Sequence, residues 1–132
     1  MENTSRHGGP APEPAAEFTN IIQEVLTAAE ETYGTEDLEY HLERALAFVK
    51  RHPELKDWLE SQVISLIDSP REGVVELVSF LMHDLHWEAV REAIIERVRH
   101  PKGDVSNIRL HEAMLDAFSD SWRDRDLYTR FS

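Results

Sequence analysis

The chain has no cysteine, and that absence removes disulfides, thiolate metal sites and cysteine nucleophiles together. Its five glycines are too few and too scattered for a phosphate-cradling loop, and no serine sits in a Gly-x-Ser-x-Gly elbow. No apolar run approaches the ~20 residues needed to span a bilayer, and residues 1–14 lack the apolar stretch of a signal peptide. No segment sustains the alternation of a strand. Basic residues are missing from one long stretch, for nothing between Arg6 and Arg44 is lysine or arginine.

Into that gap fall nine carboxylates: Glu13, Glu17, Glu24, Glu30, Glu31, Glu36, Asp37, Glu39 and Glu43. Over 132 residues there are 26 acids against 14 Lys and Arg, a formal net charge of −12. The imbalance is uneven: residues 1–68 hold 14 acids and 5 bases, whereas residues 69–132 hold 12 and 9. A field of one sign attracts cationic proteins and repels phosphate backbones. The expected partner is therefore a basic protein, with no nucleic acid, no membrane and no cofactor. A soluble, cytoplasmic protein is the expectation.

The length suits one domain with a real core. Residues 1–14, with Gly8, Gly9, Pro10, Pro12 and Pro14, read as a disordered leader before a helical domain over 15–132. Phe18, Ile21, Ile22, Val25, Leu26, Ala29 and Tyr33 recur at spacings of 3 and 4, a buried helical stripe. Gly34 stops that helix and Thr35 suits the N-cap of the next. The second helix carries Leu38, Leu42, Ala45, Leu46 and Val49 to His52-Pro53, and a third runs from Leu55 to Ile67 before Asp68-Ser69-Pro70. The fourth is the most apolar, from Val74 to Leu85, with Glu76, Ser79, His83 and His86 on one narrow arc. That pattern predicts a central helix with one wet edge. A fifth spans Trp87 to Arg99, Asp104 suits the cap of a sixth through Phe118, and Trp122 to Phe131 reads as a short seventh. The expectation is all-α: six or seven short antiparallel helices, as stacked hairpins or an irregular bundle.

The stretch Asp84-Leu85-His86-Trp87-Glu88-Ala89-Val90-Arg91 resembles the HEAT repeat, which places an Asp and a Val-Arg pair near the start of its second helix. The likeness is good over residues 71–100 and poorer over 104–130, where the Val-Arg pair is missing. It implies stacked hairpins, a protein-binding role, Asp84 capping the fifth helix or pairing with Arg91, and Trp87 and Val90 between layers. A rival pattern is His41 with the doublet His83-Asp84, which resembles the HD-domain phosphohydrolases. That resemblance implies a divalent metal held by His41, His83, Asp84 and a later Asp. The small residues that usually follow the doublet are replaced by Leu85-His86-Trp87, and no lysine follows to hold a phosphate. His83 and His86, three apart, read as surface histidines on the wet edge, and His52 and His100 as caps of helix C-termini.

In size, charge and lack of catalytic signature the chain resembles small acidic bacterial immunity proteins. That likeness implies an inhibitor that neutralises a basic toxin. The candidate partner-binding residues are Glu30, Glu31, Glu36, Asp37, Glu39 and Glu43, with Glu54, Asp57 and Glu60 beside them. No catalytic residue is expected.

Overall fold

A computed structural model describes residues 12–31, 35–101 and 105–131. Among the described residues there are six α-helices: α1 Pro12–Glu30, α2 Thr35–Arg51, α3 Lys56–Ile67, α4 Glu72–Leu85, α5 Glu88–Arg99 and α6 Asn107–Asp116. Short 3₁₀ turns occupy Pro53–Leu55 and Arg123–Leu127. The all-α expectation is met, with no strand among the described residues.

The expected stripes are the faces that pack. Phe18, Ile21, Ile22, Val25 and Leu26 of α1 are buried, as are Leu42, Ala45, Leu46, Phe48 and Val49 of α2. Helix α4 is central, touching α1, α2, α3 and α6, and Val74, Leu77, Val78, Phe80, Leu81 and Met82 are buried along it. Helix α5 packs on α3 and α6. At one end of the core Phe18 lies 5.2 Å from Phe48 and 5.9 Å from Trp58. At the other, Phe80 meets Tyr128 edge-on at 5.2 Å. Trp87 and Val90 are buried, as expected.

Several expectations are corrected. Helix α1 begins at Pro12, where a proline suits a first helical turn. Pro12–Pro14 therefore belong to the helix, and the rest of the supposed leader lies outside the described residues. Gly34, the Thr35 side chain and Asp104 also lie outside them, so those caps are not described. Trp122 to Phe131 is not an α-helix. Trp122 and Tyr128 both bury their rings, but six residues apart they do not share an α-helical face. A 3₁₀ turn followed by extended backbone at Tyr128 (φ −112°, ψ 133°) delivers both rings to the core.

The polar arc of α4 is only partly a wet edge: His86 is exposed, while Glu76 and His83 are half-buried. Ser79 is buried, and the Tyr128 hydroxyl donates to Glu76. His83 Nδ1–H donates to the Ala117 carbonyl at 2.8 Å and His86 Nε2–H to that of Phe118 at 3.1 Å. A carbonyl only accepts, so each imidazole must be the donor. The arc supplies partners for the carbonyls left open where α6 ends. His111 does the same for α3: it is buried, and its Nε2–H donates to Ile67 O at 2.7 Å. His52 and His100 end their helices through their backbone N–H groups, bonded to Val49 O and Glu96 O. The His52 ring instead lies 4.4 Å from Phe48 with Nδ1 3.1 Å from Glu54.

Candidate functional site: an acidic groove between the first two helices

The α1–α2 hairpin leaves a groove of about 380 Å³ lined by Gln23, Glu24, Thr27, Ala28, Glu31, Asp37 and His41. It forms because each helix turns its apolar stripe toward α4 and leaves its carboxylate-bearing face outward. Glu31, Glu36 and Asp37 are exposed, and none has an ion pair with a described residue. Asp57, on α3, is likewise exposed with no such pair. These four carboxylates face solvent.

Other members of the set are engaged. Glu30 pairs with Arg71 at 3.3 Å and Glu60 with Lys56 at 3.3 Å. Glu54 meets His52 at 3.1 Å, and a hydrogen bond to its own backbone N–H, helped by His52, holds its carboxyl below the ordinary range. Glu43 binds Arg130 at 2.8 Å. Glu39 departs furthest from expectation. It is only 9% exposed, and its two oxygens accept the backbone N–H groups of Thr129 at 2.9 Å and Arg130 at 3.0 Å. Its carboxylate is committed inside the molecule and does not belong to a free acidic face.

Sequence reasoning missed Tyr40. It is 61% exposed beside the groove, its ring 5.1 Å from His41, with the Arg44 guanidinium 6.0 Å from the ring centre. The signal was its position off the Leu38–Leu42–Ala45 stripe, which turns an aromatic toward water among acids. Arg44 in turn binds Glu24, which lines the groove. Of the acids lining the groove, Glu24 is thus paired with Arg44, while Glu31 and Asp37 are exposed, and Tyr40 adjoins the lining residue His41.

The residues of the HD pattern are not brought together. His41 Nδ1 sits 3.7 Å from Glu24, His83 serves Ala117, and Asp84 pairs with Lys50 at 3.0 Å and Arg130 at 3.3 Å. Asp84 thus neither caps α5 nor meets Arg91, which pairs with Glu88 at 3.3 Å. Among the described residues no group of three or more His, Asp or Glu is placed to hold a metal ion. No helix among them is long and apolar enough to cross a membrane.

No protein-family profile matches the chain, and no curated protein or solved structure is significantly similar to it.

Proposed function

We propose that this chain is a protein-binding inhibitor that captures a cationic partner through the α1–α2 groove. The reading extends to a basic toxin domain as that partner, met in the cytoplasm in the manner of an immunity protein. A nuclease is the kind of toxin whose phosphate-binding cleft an acidic surface fits. The observation that carries the proposal is that Glu31, Glu36 and Asp37 are exposed without a described internal cation, Glu31 and Asp37 lining the groove, with exposed Tyr40 next to its lining residue His41. Free carboxylates speed encounter with a cationic surface, and an exposed tyrosine is a common anchor of binding energy.

Paired affinity capture tests it, using the wild-type chain and a Glu31→Lys/Glu36→Lys/Asp37→Lys variant as baits at about 0.15 M salt. A cationic protein recovered by the wild type and lost by the variant is the expected result. A main partner that is not cationic, or that the variant retains, contradicts it.

A second reading is an adaptor of the HEAT type without inhibitory action. It draws support from the packing of α3 on α4 and α5 on α6, with α3 also on α5 and α4 on α6, a layered arrangement of two hairpins. Its mark is recovery within a multi-subunit assembly through faces of several helices, with the charge-reversed variant captured as well as the wild type.

A further inference from the structure

Helix α1 packs on α2 and α4, and α3 packs on α4 and α5. Between α1 and α3 there is a groove of about 340 Å³. Its apolar lining is Phe18, Ile22 and Leu66, the first two buried and the third half-buried. The remaining lining side chains are hydroxyls and amides, Gln23 and Gln62 among them. Among the described residues no charged side chain lines it, in a chain whose residues are 30% charged. An ionic group entering this groove would lose water and meet no counter-ion, so the groove suits an uncharged side chain.

The uncharged groove and the acidic groove meet on α1. Gln23 lines both, Thr19 lines the uncharged one and Thr27 the acidic one. Spaced by four, these three exposed side chains follow one face of the helix. Thr19 and Thr27 are about 12 Å apart along its axis, a span that an extended segment crosses in about four residues. The acidic groove offers exposed Glu31 and Asp37 to a cation, but exposed ion pairs contribute little affinity in water. Burial of an aliphatic side chain against Phe18, Ile22 and Leu66 supplies what those pairs lack.

We propose that the cationic partner lays an extended segment along α1, with an aliphatic side chain in the α1–α3 groove and a lysine or arginine in the acidic groove. The proposal rests on the cationic-partner reading above. Charge fixes the direction of the segment. Its cation belongs at the Thr27 end, with Glu31 and Asp37, and its aliphatic group at the Thr19 end. Between them lies the Gln23 amide, which both donates and accepts and so matches the backbone of the segment. The acidic groove then governs how fast the partner arrives, and the uncharged groove how long it stays.

The test is an NMR titration of the isotope-labelled full chain with the peptide acetyl-Leu-Ser-Gly-Ser-Arg-amide. The peptide should move the amide signals of Thr19, Gln23 and Thr27 on α1 and of Gln62 and Ser65 on α3. Replacing its leucine by serine should weaken binding by about tenfold. Replacing its arginine by citrulline, a neutral isostere, should abolish the shift at Thr27. Ser65→Trp, at an exposed lining position of α3, fills the groove and should lower the affinity for the leucine peptide to that of the serine peptide. A thermal melt establishes that this variant is folded, and the comparison of peptides on wild type does not depend on it. With the captured partner, Ser65→Trp should raise the dissociation rate by about tenfold and leave the association rate and its salt dependence unchanged. Equal affinity for the two peptides, no shift on α3, or a dissociation rate unmoved by Ser65→Trp overturns the proposal. Ser65→Trp leaves Glu31, Glu36 and Asp37 in place, so the two readings fail separately. Arginine-dependent binding that ignores the leucine keeps the cationic-partner reading and removes this one. Capture of no cationic protein removes the partner, while leucine-dependent peptide binding still supports the two-part surface.

Discussion

Replacing Glu39 by alanine should cost this protein far more than replacing any other acid on the same helix. The mutation removes both acceptors of the Thr129 and Arg130 N–H groups, at 2.9 and 3.0 Å. A hydrogen bond to a charged group contributes ~1.5–3 kcal/mol. Thr129 and Arg130 are exposed, so water recovers part of what is lost and the lower end of that range applies to each bond. The expected loss is about 3 kcal/mol in total. For a chain of this size that corresponds to a fall in Tm of about 10 °C. Urea unfolding followed by tryptophan fluorescence is the assay, since Trp122 lies beside the affected segment, its ring centre 6.0 Å from that of Tyr128. Glu39→Gln keeps one oxygen acceptor and should lose about half as much. Glu36→Ala, on the exposed face of α2, should stay within about 0.5 kcal/mol of wild type. If Glu39→Ala is as mild as Glu36→Ala, the carboxylate does not hold the C-terminal segment and the reasoning fails.

Two further outcomes follow from packing and burial. Burial raises the Glu76 carboxyl above its ordinary 4.5, against the donated Tyr128 hydroxyl, which lowers it. The folded state then binds more protons than the unfolded one, so this group's contribution worsens as pH rises from 4.5 through the raised folded value. Glu76→Gln, neutral and still an acceptor for Tyr128, should therefore gain more on wild type at about pH 7 than at about pH 4; an equal difference at both pH values refutes this. Gly73 sits where α4 crosses α1, and a Cβ there would lie 2.8 Å from Leu26 Cδ2 and 3.3 Å from Ala29 Cβ. Gly73→Val should cost about 2 kcal/mol or more by urea unfolding, and a variant as stable as wild type would mean that the two helices separate freely.

The α-helices and the central place of α4 were legible in the sequence because apolar spacing of 3 and 4 reports burial directly. The role of the α4 polar arc was not. Glu76, His83 and His86 look the same in sequence whether they face water or the open carbonyls of another helix. Glu39 illustrates the limit most clearly. On α2 it is one acid among Glu36, Asp37 and Glu43, and its partners lie 90 and 91 residues away. Local periodicity carries no information about which distant N–H will need an acceptor. The C-terminal segment misled for a related reason. Its Trp, Tyr and Phe are real core groups, but an irregular backbone delivers them, and only the tertiary surroundings select that path. The acidic character of the α1–α2 face was legible from charge alone, whereas the division into free and committed carboxylates required the packing.

The central claim is that Glu31, Glu36 and Asp37 draw in a cationic protein. The most direct measurement is the association rate of the captured partner with wild type and with the Glu31→Lys/Glu36→Lys/Asp37→Lys variant, as a function of ionic strength. Wild type should associate at least about tenfold faster at low salt. Its rate should fall steeply with added salt, and the two curves should converge near about 1 M, where screening shortens the range of the field to roughly 3 Å. Equal rates with equal salt dependence would contradict the account, because the exposed carboxylates would then have no part in the encounter.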